Sequence, residues 1–130
     1  MTLARNIADL AEATAREIKA RAPTDHPGLA RAWVCFTVAH SQVVIRAAYN
    51  VARVTRLAKG SYRVEFAEPM PDSHYCWQAF ARSGRRASSL KHATARTHRD
   101  VKCRCSVDVI CTTRSGKRTD TAELNLTVFR

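Results

Sequence analysis

The first twenty positions of the chain carry a helical hydrophobic period. Its members step by four, three and four positions, at Leu3, Ile7, Leu10 and Thr14, which is the spacing of a coiled-coil seam. Thr2 precedes them and is a residue type that caps helix N-termini. We therefore predict a helix within residues 1–22 that serves for attachment or oligomerisation through Leu3, Ile7 and Leu10. The alternative is a surface helix packed on its own domain.

Residues 23–30 contain prolines and a glycine, break the helical period and are predicted to form a linker. From Arg31 onward the apolar positions alternate with polar ones, as in half-buried strands. About seven strands are indicated, near residues 32–38, 42–48, 50–57, 61–67, 73–81, 101–111 and 121–129. The pattern leaves open whether residues 86–96 contain an eighth. The predicted fold is mainly β: a single antiparallel β-sandwich of about seven or eight strands over residues 31–130, jelly-roll-like, preceded by a short N-terminal α-helix.

The chain has 130 residues, which is enough for one domain with a buried core. Its composition, 45% hydrophobic and 25% charged, is ordinary for a globular protein. Lysine and arginine number 22 against 11 acidic residues, so the net charge is +11. No uncharged stretch reaches the ~18–20 apolar residues of a membrane span, and charges interrupt the N-terminal region where a secretory signal would lie. We therefore expect no membrane insertion and reduced thiols.

Three of the five cysteines lie in one segment with the pattern of a strand. Within residues 101–111, Cys103, Cys105 and Cys111 are in phase with valines and alternate with polar positions. Free cysteine is a small and frequently buried hydrophobe, so we predict that these thiols line the core and hold no metal. The alternatives are a zinc site, for which His92 and His98 lie upstream, and a redox or disulfide role.

No catalytic motif is recognisable in the sequence. Cys76 lies near His74, and Cys35 lies near His40, but proximity in sequence does not orient a nucleophile and its base. The sequence also lacks a glycine-rich phosphate-binding loop. We therefore predict that the protein is not an enzyme and uses no cofactor.

The segment 82–100 is strongly basic, with six cations and one acidic residue. The cations are Arg82, Arg85, Arg86, Lys91, Arg96 and Arg99. Arginine favours bidentate contacts with carboxylates, so we predict that this group contacts an acidic partner protein. A basic patch can also neutralise nucleic-acid phosphates, although this segment has no base-stacking aromatic residue. The third interpretation is a solvated, arginine-rich loop.

Residues 31–130 resemble a known β-module. The likeness is carried by AWVCF at 32–36, VVIRAAYNVARVTRLAKGSYRVEF at 43–66, PMPDSHY at 69–75 and LNLTVFR at 124–130. They are similar to a tryptophan-containing opening strand, an I-R-x-x-Y-N-V strand pair, a G-x-Y-x-V-x-F arm, an M-P-x-x-x-Y corner and a closing strand. A module with this order occurs in virion proteins of tailed bacteriophages, including tail fibres, head fibres and related appendages.

The resemblance implies a virion structural protein: a capsid decoration or cement protein, a short head spike, or a tail or fibre component. Such a protein is assembled in the host bacterial cytoplasm and contacts the major capsid protein or tail subunits, and it can also contact the host surface. Together with the stepped helix, the resemblance implies a homotrimer. Trp33 and Tyr75 are expected to fill the core between two sheets. The alternative function is a basic nucleic-acid-binding module.

Overall fold

The structure, a computed structural model, describes residues 2–21, 26–84 and 90–130, with the backbone alone at 19–21. These residues form one helix and eight strands. The elements are α1 Leu3–Arg21, β1 Ala30–Ala39, β2 Gln42–Tyr49, β3 Val51–Ala58, β4 Ser61–Phe66, β5 Cys76–Arg82, β6 Lys91–Thr94, β7 Ser106–Thr113 and β8 Glu123–Phe129. The strands make two antiparallel sheets of four. The predicted fold class, an antiparallel β-sandwich after an N-terminal helix, is confirmed.

Sheet 1 has the strand order β2-β1-β8-β5, and sheet 2 has the order β3-β4-β7-β6. The β1–β2 hairpin turns at His40 and Ser41, whose φ angles of 53° and 63° are of the left-handed kind that a two-residue type I′ turn requires. The chain then passes from β2 to β3, in the other sheet, through Asn50, which is also left-handed with a φ of 52°. A single residue therefore carries the chain from one sheet to the other.

The side chain of Asn50 holds this crossing in place. Its Nδ2 donates to the carbonyls of Arg31 at 3.0 Å and Glu68 at 3.2 Å, and its Oδ1 accepts from the Glu68 amide at 2.7 Å. Asparagine tolerates the left-handed region better than most residues that carry a Cβ. Asn50 of the Y-N-V segment is therefore a structural clamp between the start of β1 and the segment after β4.

The core lies between the sheets and follows the period of two. In β8 the buried residues Leu124, Leu126 and Val128 alternate with half-buried ones. Two edge-to-face aromatic contacts cross the core, between Phe36 and Tyr62 with ring centroids 5.3 Å apart, and between Phe66 and Tyr75 at 5.7 Å. The other fully buried large side chains are Val34, Val64, Met70, Val107, Val109 and Cys111.

Tyr75 closes the M-P-x-x-x-Y corner from inside the sandwich. Its side chain is fully buried, and its hydroxyl lies 2.8 Å from the carbonyl of Cys103 and 3.0 Å from that of Ser106. The ammonium group of Lys102 lies 4.7 Å from the centroid of its ring, as in a cation–π contact. Burial raises the pKa of Tyr75. The prediction that Tyr75 fills the core is confirmed.

Asp120 ties the β3–β4 hairpin to the connection between β7 and β8. Its carboxylate accepts hydrogen bonds from Arg56 at 2.8 and 3.2 Å, from the Tyr62 hydroxyl at 2.6 Å and from the Gly60 amide at 3.0 Å. Burial opposes the ionisation of Asp120, but these donors outweigh it and lower its pKa to about 2. Burial, followed by the bond to Asp120, raises the pKa of Tyr62.

Trp33 departs from the prediction, because it lies on the outside of sheet 1 with 38% of its surface exposed. Its neighbours Ala32 and Val34 occupy the inward positions of β1, and the period of two turns Trp33 away from the core. Trp77 of β5 is the tryptophan that packs against the core, and it is half-buried.

The predicted strand over residues 101–111 is wrong in its first half, because β7 begins at Ser106. The chain reverses there: the Cys103 amide donates to the Ser106 carbonyl at 2.9 Å, and the Asp108 amide donates to the Val101 carbonyl at 2.7 Å. An alternating pattern does not distinguish one straight strand from two short arms joined by a tight turn. In the region 86–96, the structure shows β6, which pairs with β7.

Candidate functional site

The side of sheet 1 that faces away from the core is uncharged over most of its area. Alternation places Trp33, Cys35 and Thr37 of β1 on this side, and strand register adds their cross-strand neighbours. These neighbours are Val44, Ala47 and Tyr49 of β2, Asn125 and Thr127 of β8, and Gln78 and Phe80 of β5. We call these residues the sheet 1 outer face. At one end of this face Arg82 pairs with Glu123 at 3.2 Å.

Three aromatic residues dominate the sheet 1 outer face. Phe80 is 69% exposed, Tyr49 is 56% exposed, and Trp33 lies directly opposite Tyr49 in the β1–β2 pairing. Aromatic residues are enriched and charged residues depleted at the centres of protein–protein interfaces. In a chain of net charge +11, an uncharged sheet face with exposed aromatic side chains is a candidate contact surface.

The outer side of sheet 2 has the opposite character. Arg53 pairs with Glu65 across β3 and β4, and Arg63 pairs with Asp108 across β4 and β7, each at 2.7 Å. Asp108 also accepts a hydrogen bond from the Val101 amide at 3.1 Å. These charges are matched within the chain, and Asp108 is buried beneath its partners. The two outer faces of the sandwich are therefore not equivalent.

Strand β2 adds an open edge to the sheet 1 outer face. Among the described strands it pairs with β1 alone, and each of its side chains except Val43 is exposed. Ile45 and Val44 are large apolar members, and Arg46 is the strand's charged residue. An exposed apolar edge strand offers unpaired backbone groups to another chain.

The predicted oligomerisation residues of α1 form a second uncovered apolar surface. Leu3, Ile7 and Leu10 are each more than half exposed, and Ile18 continues the same stripe. The helix begins as predicted, with the Thr2 hydroxyl accepting from the Arg5 amide at 3.4 Å. A narrow apolar stripe of this spacing is the seam of a coiled coil, and in the single chain it is left open to solvent.

Two of the predicted partner-binding cations are engaged within the chain at the ends of strands. Arg82, the last residue of β5, pairs with Glu123. Lys91, the first residue of β6, donates from its ammonium group to the Asp120 carbonyl at 2.7 Å. Lys91 is half-buried, and this hydrogen bond ties the start of β6 to the connection before β8.

The remaining predicted cations lie after β6 or outside the described residues. Arg96 pairs with Asp100 at 3.0 Å and lowers the pKa of that carboxyl. Arg99 is exposed, and its side chain has no ion-pair or hydrogen-bond partner in the part of the chain that the structure describes. Arg85 and Arg86 lie outside the described residues. Of the four described members of the group, Arg82, Lys91 and Arg96 therefore each have a partner within the chain, and Arg99 has none in the described structure.

A different group of cations comes together at the turns beside Asp120, and sequence reasoning misses it. We call it the basic loop end: Lys59, Arg114, Lys117 and Arg118. Lys59 lies between β3 and β4, whereas the other three follow β7. The run RSGKR at 114–118, a turn signal with three cations, could have revealed most of the group. Nothing in the sequence connects it to Lys59.

The three cysteines predicted to line the core have three different environments. Cys111 is fully buried, as predicted, and burial raises its pKa. Cys105 is exposed and Cys103 is half-buried, because both lie in the turn that precedes β7. The core prediction is therefore wrong for Cys105. The Cys103 sulfur lies 3.4 Å from the Ser106 hydroxyl, a contact that lowers the pKa of Cys103.

No three His, Cys, Asp or Glu side chains converge as a metal site would require within residues 2–21, 26–84 and 90–130. Two open clefts border the sandwich. One of about 320 Å³ lies between Trp77 and the loop after β6, with Val107 at its wall. The other, of about 590 Å³, lies beside Tyr49 and Met70. The second cleft adjoins the sheet 1 outer face through Tyr49 and extends that surface.

No protein-family model matches this sequence, and no curated protein or solved structure matches it. Among the described residues, no helix is long and apolar enough to cross a membrane. The functional assignment therefore depends on the surfaces of the chain and on the resemblance carried by its motifs.

Proposed function

We propose that this chain is a structural protein of a tailed-bacteriophage virion, which acts as a homotrimer through protein–protein contacts. It decorates the capsid or forms part of a short head spike, a tail or a fibre, and its partners are the major capsid protein or tail subunits. The observation that carries the proposal is the pair of uncovered apolar surfaces, the α1 stripe and the sheet 1 outer face. The resemblance of residues 31–130 to virion β-modules supports the proposed location.

Charge favours these two surfaces for contacts between copies of the chain. Copies that each carry +11 repel one another wherever their cationic surfaces meet. The residues that define the sheet 1 outer face are uncharged, and the α1 stripe is apolar, so repulsion is weakest there. A seam of about 2.5 heptads is too short to hold a coiled coil alone. The sandwich must therefore contribute to the interface, and the open edge of β2 is its natural extension.

Docking to an acidic virion surface is the proposed role of the cations in the segment 82–100 that stay accessible. Arg99 is exposed, and the Arg82 side chain remains 74% exposed beside Glu123. Exposed ion pairs contribute only ~0–1 kcal/mol each. Such contacts would therefore set the salt sensitivity of attachment more than its strength.

The homotrimer is tested by the variant Leu3→Ser, Ile7→Ser, Leu10→Ser. We expect light scattering of the wild type to give three times the chain mass of 14.5 kDa. The variant should dissociate to monomers at low micromolar concentration, because its seam no longer excludes water. The circular dichroism of its strands should be unchanged, since the side chains of α1 over residues 3–18 are all exposed to solvent.

The matched control changes the polar side of the same helix, with Ala8→Ser, Asp9→Ser and Arg16→Ser. It introduces the same number of serines, leaves the net charge unaltered and should remain a trimer. A monomeric wild type at high micromolar concentration, with its helix intact, would contradict the proposal. Equal dissociation of both variants would assign the effect to helix propensity instead of the seam.

The virion location is tested on particles purified from a host that produces the protein. We expect mass spectrometry to find the chain at a fixed ratio to the major capsid protein or to a tail subunit after repeated gradient purification. Imaging of labelled particles would then place it on the shell or on the tail. Complete loss of the chain on washing at physiological salt would contradict a structural role in the virion.

A further inference from the structure

The basic loop end is built by hydrogen bonds that bring two distant turns together. The Cys111 amide donates to the Gly60 carbonyl at 2.8 Å, and the Thr119 amide donates to the Cys111 carbonyl at 3.0 Å. The segment 117–119 thus pairs with β7 on the same side as β4 and lies in line with β4, immediately beyond the β3–β4 turn. A Cβ built on Gly60 would lie 2.7 Å from the Thr119 nitrogen, which shows how closely the two turns approach. Lys59 and the RSGKR turn therefore share one end of the sandwich.

The cations of the basic loop end differ from seven other described cations, which each pair with a carboxylate. The side chains of Lys59, Arg114, Lys117 and Arg118 form no ion pair or hydrogen bond in the described structure. The nearest carboxylate in sequence, Asp120, is already occupied by Arg56 and Tyr62. By contrast, Arg53, Arg63, Arg96 and Arg130 each have a carboxylate partner at 3.0 Å or less. Arg118 acts on Asp100 only through space.

We propose that the basic loop end binds the phosphate backbone of nucleic acid without reading its sequence. Four unneutralised cations on two adjoining turns provide the electrostatic footprint of such a site. The turns hold no aromatic side chain that could stack on a base, and apart from their cations they consist of small residues such as Ser115 and Gly116. Contacts of this kind position a protein on nucleic acid but carry no sequence information. This activity goes beyond the structural role proposed above and does not depend on it.

An acidic protein is the less favoured partner for the same surface. Protein–protein interfaces have an apolar, desolvated centre with charged residues at the rim. The residues 58–60 and 114–118 contain nothing more apolar than Ala58. Surfaces that bind phosphate backbones are, in contrast, polar, strongly positive and wet. The composition of the two turns therefore fits a polyphosphate better than a folded acidic surface.

The test measures the binding of a duplex DNA of about 20 base pairs as a function of salt. Four phosphate contacts correspond to a log–log salt slope of about −3.6, so wild-type affinity should fall about 150-fold between 50 and 200 mM salt. The variant Arg114→Gln, Lys117→Gln, Arg118→Gln retains Lys59, and its slope should flatten to about −1, with an affinity loss of about 3-fold over the same range. A duplex of permuted sequence should bind equally well.

The matched control removes three cations that also lack a carboxylate partner but lie elsewhere, with Arg5→Gln, Arg31→Gln and Arg46→Gln. It has the same net charge as the test variant and should keep the steep wild-type slope. Light scattering of all three proteins separates this outcome from any change in association.

Two results would overturn the proposal. Equal flattening of the salt slope in both variants would mean that net charge alone attracts DNA. Binding of polyglutamate with the same affinity and slope as DNA would mean that the surface recognises carboxylates, as an acidic protein would present them. Neither result bears on whether the protein is a trimer.

Discussion

Replacing Gly60 with alanine is expected to lower the free energy of unfolding by about 3–5 kcal/mol, among the largest effects of a single methyl group in this protein. Gly60 has a φ of +68°, which a residue with a Cβ adopts only at a cost. An added Cβ would also lie 2.7 Å from both the Cys111 carbonyl oxygen and the Thr119 nitrogen. Those are backbone atoms, so relief requires the two turns to separate. Thermal unfolding should show a melting temperature lower by about 10–20 °C.

Gly116→Ala is the matched control, because Gly116 has a φ of +88° but no heavy atom near its added Cβ. Its free energy of unfolding should fall by only about 1 kcal/mol, which is the cost of placing a residue with a Cβ in the left-handed region. The difference between the two variants isolates the contact between the turns. Equal losses would show that backbone conformation alone makes Gly60 necessary.

Replacing Asp120 with asparagine is expected to lower the free energy of unfolding by about 2–4 kcal/mol, because the side chain loses the negative charge that pairs with Arg56. In either orientation the asparagine amide nitrogen would also oppose a donor, because Oδ1 of Asp120 accepts from Tyr62 and Gly60 and Oδ2 accepts from Arg56. The urea midpoint should fall with little change in slope, since the folded surface is otherwise preserved.

The stabilisation of the folded state by Asp120 should be lost as the pH falls. Its folded-state pKa of about 2 lies below the ordinary value of 3.8, so the anion stabilises the folded state above that ordinary value. The stabilisation should disappear as the pH falls from about 4 to about 2. Solvent reaches part of the group, so this pH-dependent share should be about 1–2 kcal/mol. The gap between wild type and Asp120→Asn should narrow over this range, and a constant gap would contradict the assignment.

Asp72→Asn provides the comparison for a surface ion pair. Asp72 accepts two hydrogen bonds from Arg130, at 2.7 and 2.9 Å, and these lower its pKa, but both side chains lie open to water. Its replacement should change stability little. A loss as large as that of Asp120→Asn would show that pairing to arginine, and not placement between two turns, decides the effect.

The residues that carry the family resemblance are mainly parts of the scaffold. Asn50 clamps the crossing between sheets, Gly60 permits the contact of two turns, and Met70 and Tyr75 fill the corner. Trp33 and Tyr49 differ, because they lie outside the core on the sheet 1 outer face. These two motif residues belong to the surface proposed above for contacts between chains.

The sequence by itself determined the class of fold and the phase of its most regular elements. In β8, polar residues alternate with Leu124, Leu126 and Val128. In a two-layer sandwich, this alternation fixes which side chains of the strand face the core. The helical step of Leu3, Ile7 and Leu10 and the cap at Thr2 likewise depend on residues within four positions of one another. Local periodicity reports these features because the interactions behind them are local.

Only the tertiary structure decided which surfaces are left uncovered. Trp33 and Trp77 both lie in alternating segments, and the pairing of β1 and β5 with β8 put one outside and the other against the core. Within the basic segment, Arg82 and Arg96 pair with carboxylates. Lys59, in contrast, lies at the same end of the sandwich as Arg114, Lys117 and Arg118, because β7 bonds to both turns. Contacts between residues far apart in sequence leave no local period, so their outcome is set by strand order and register.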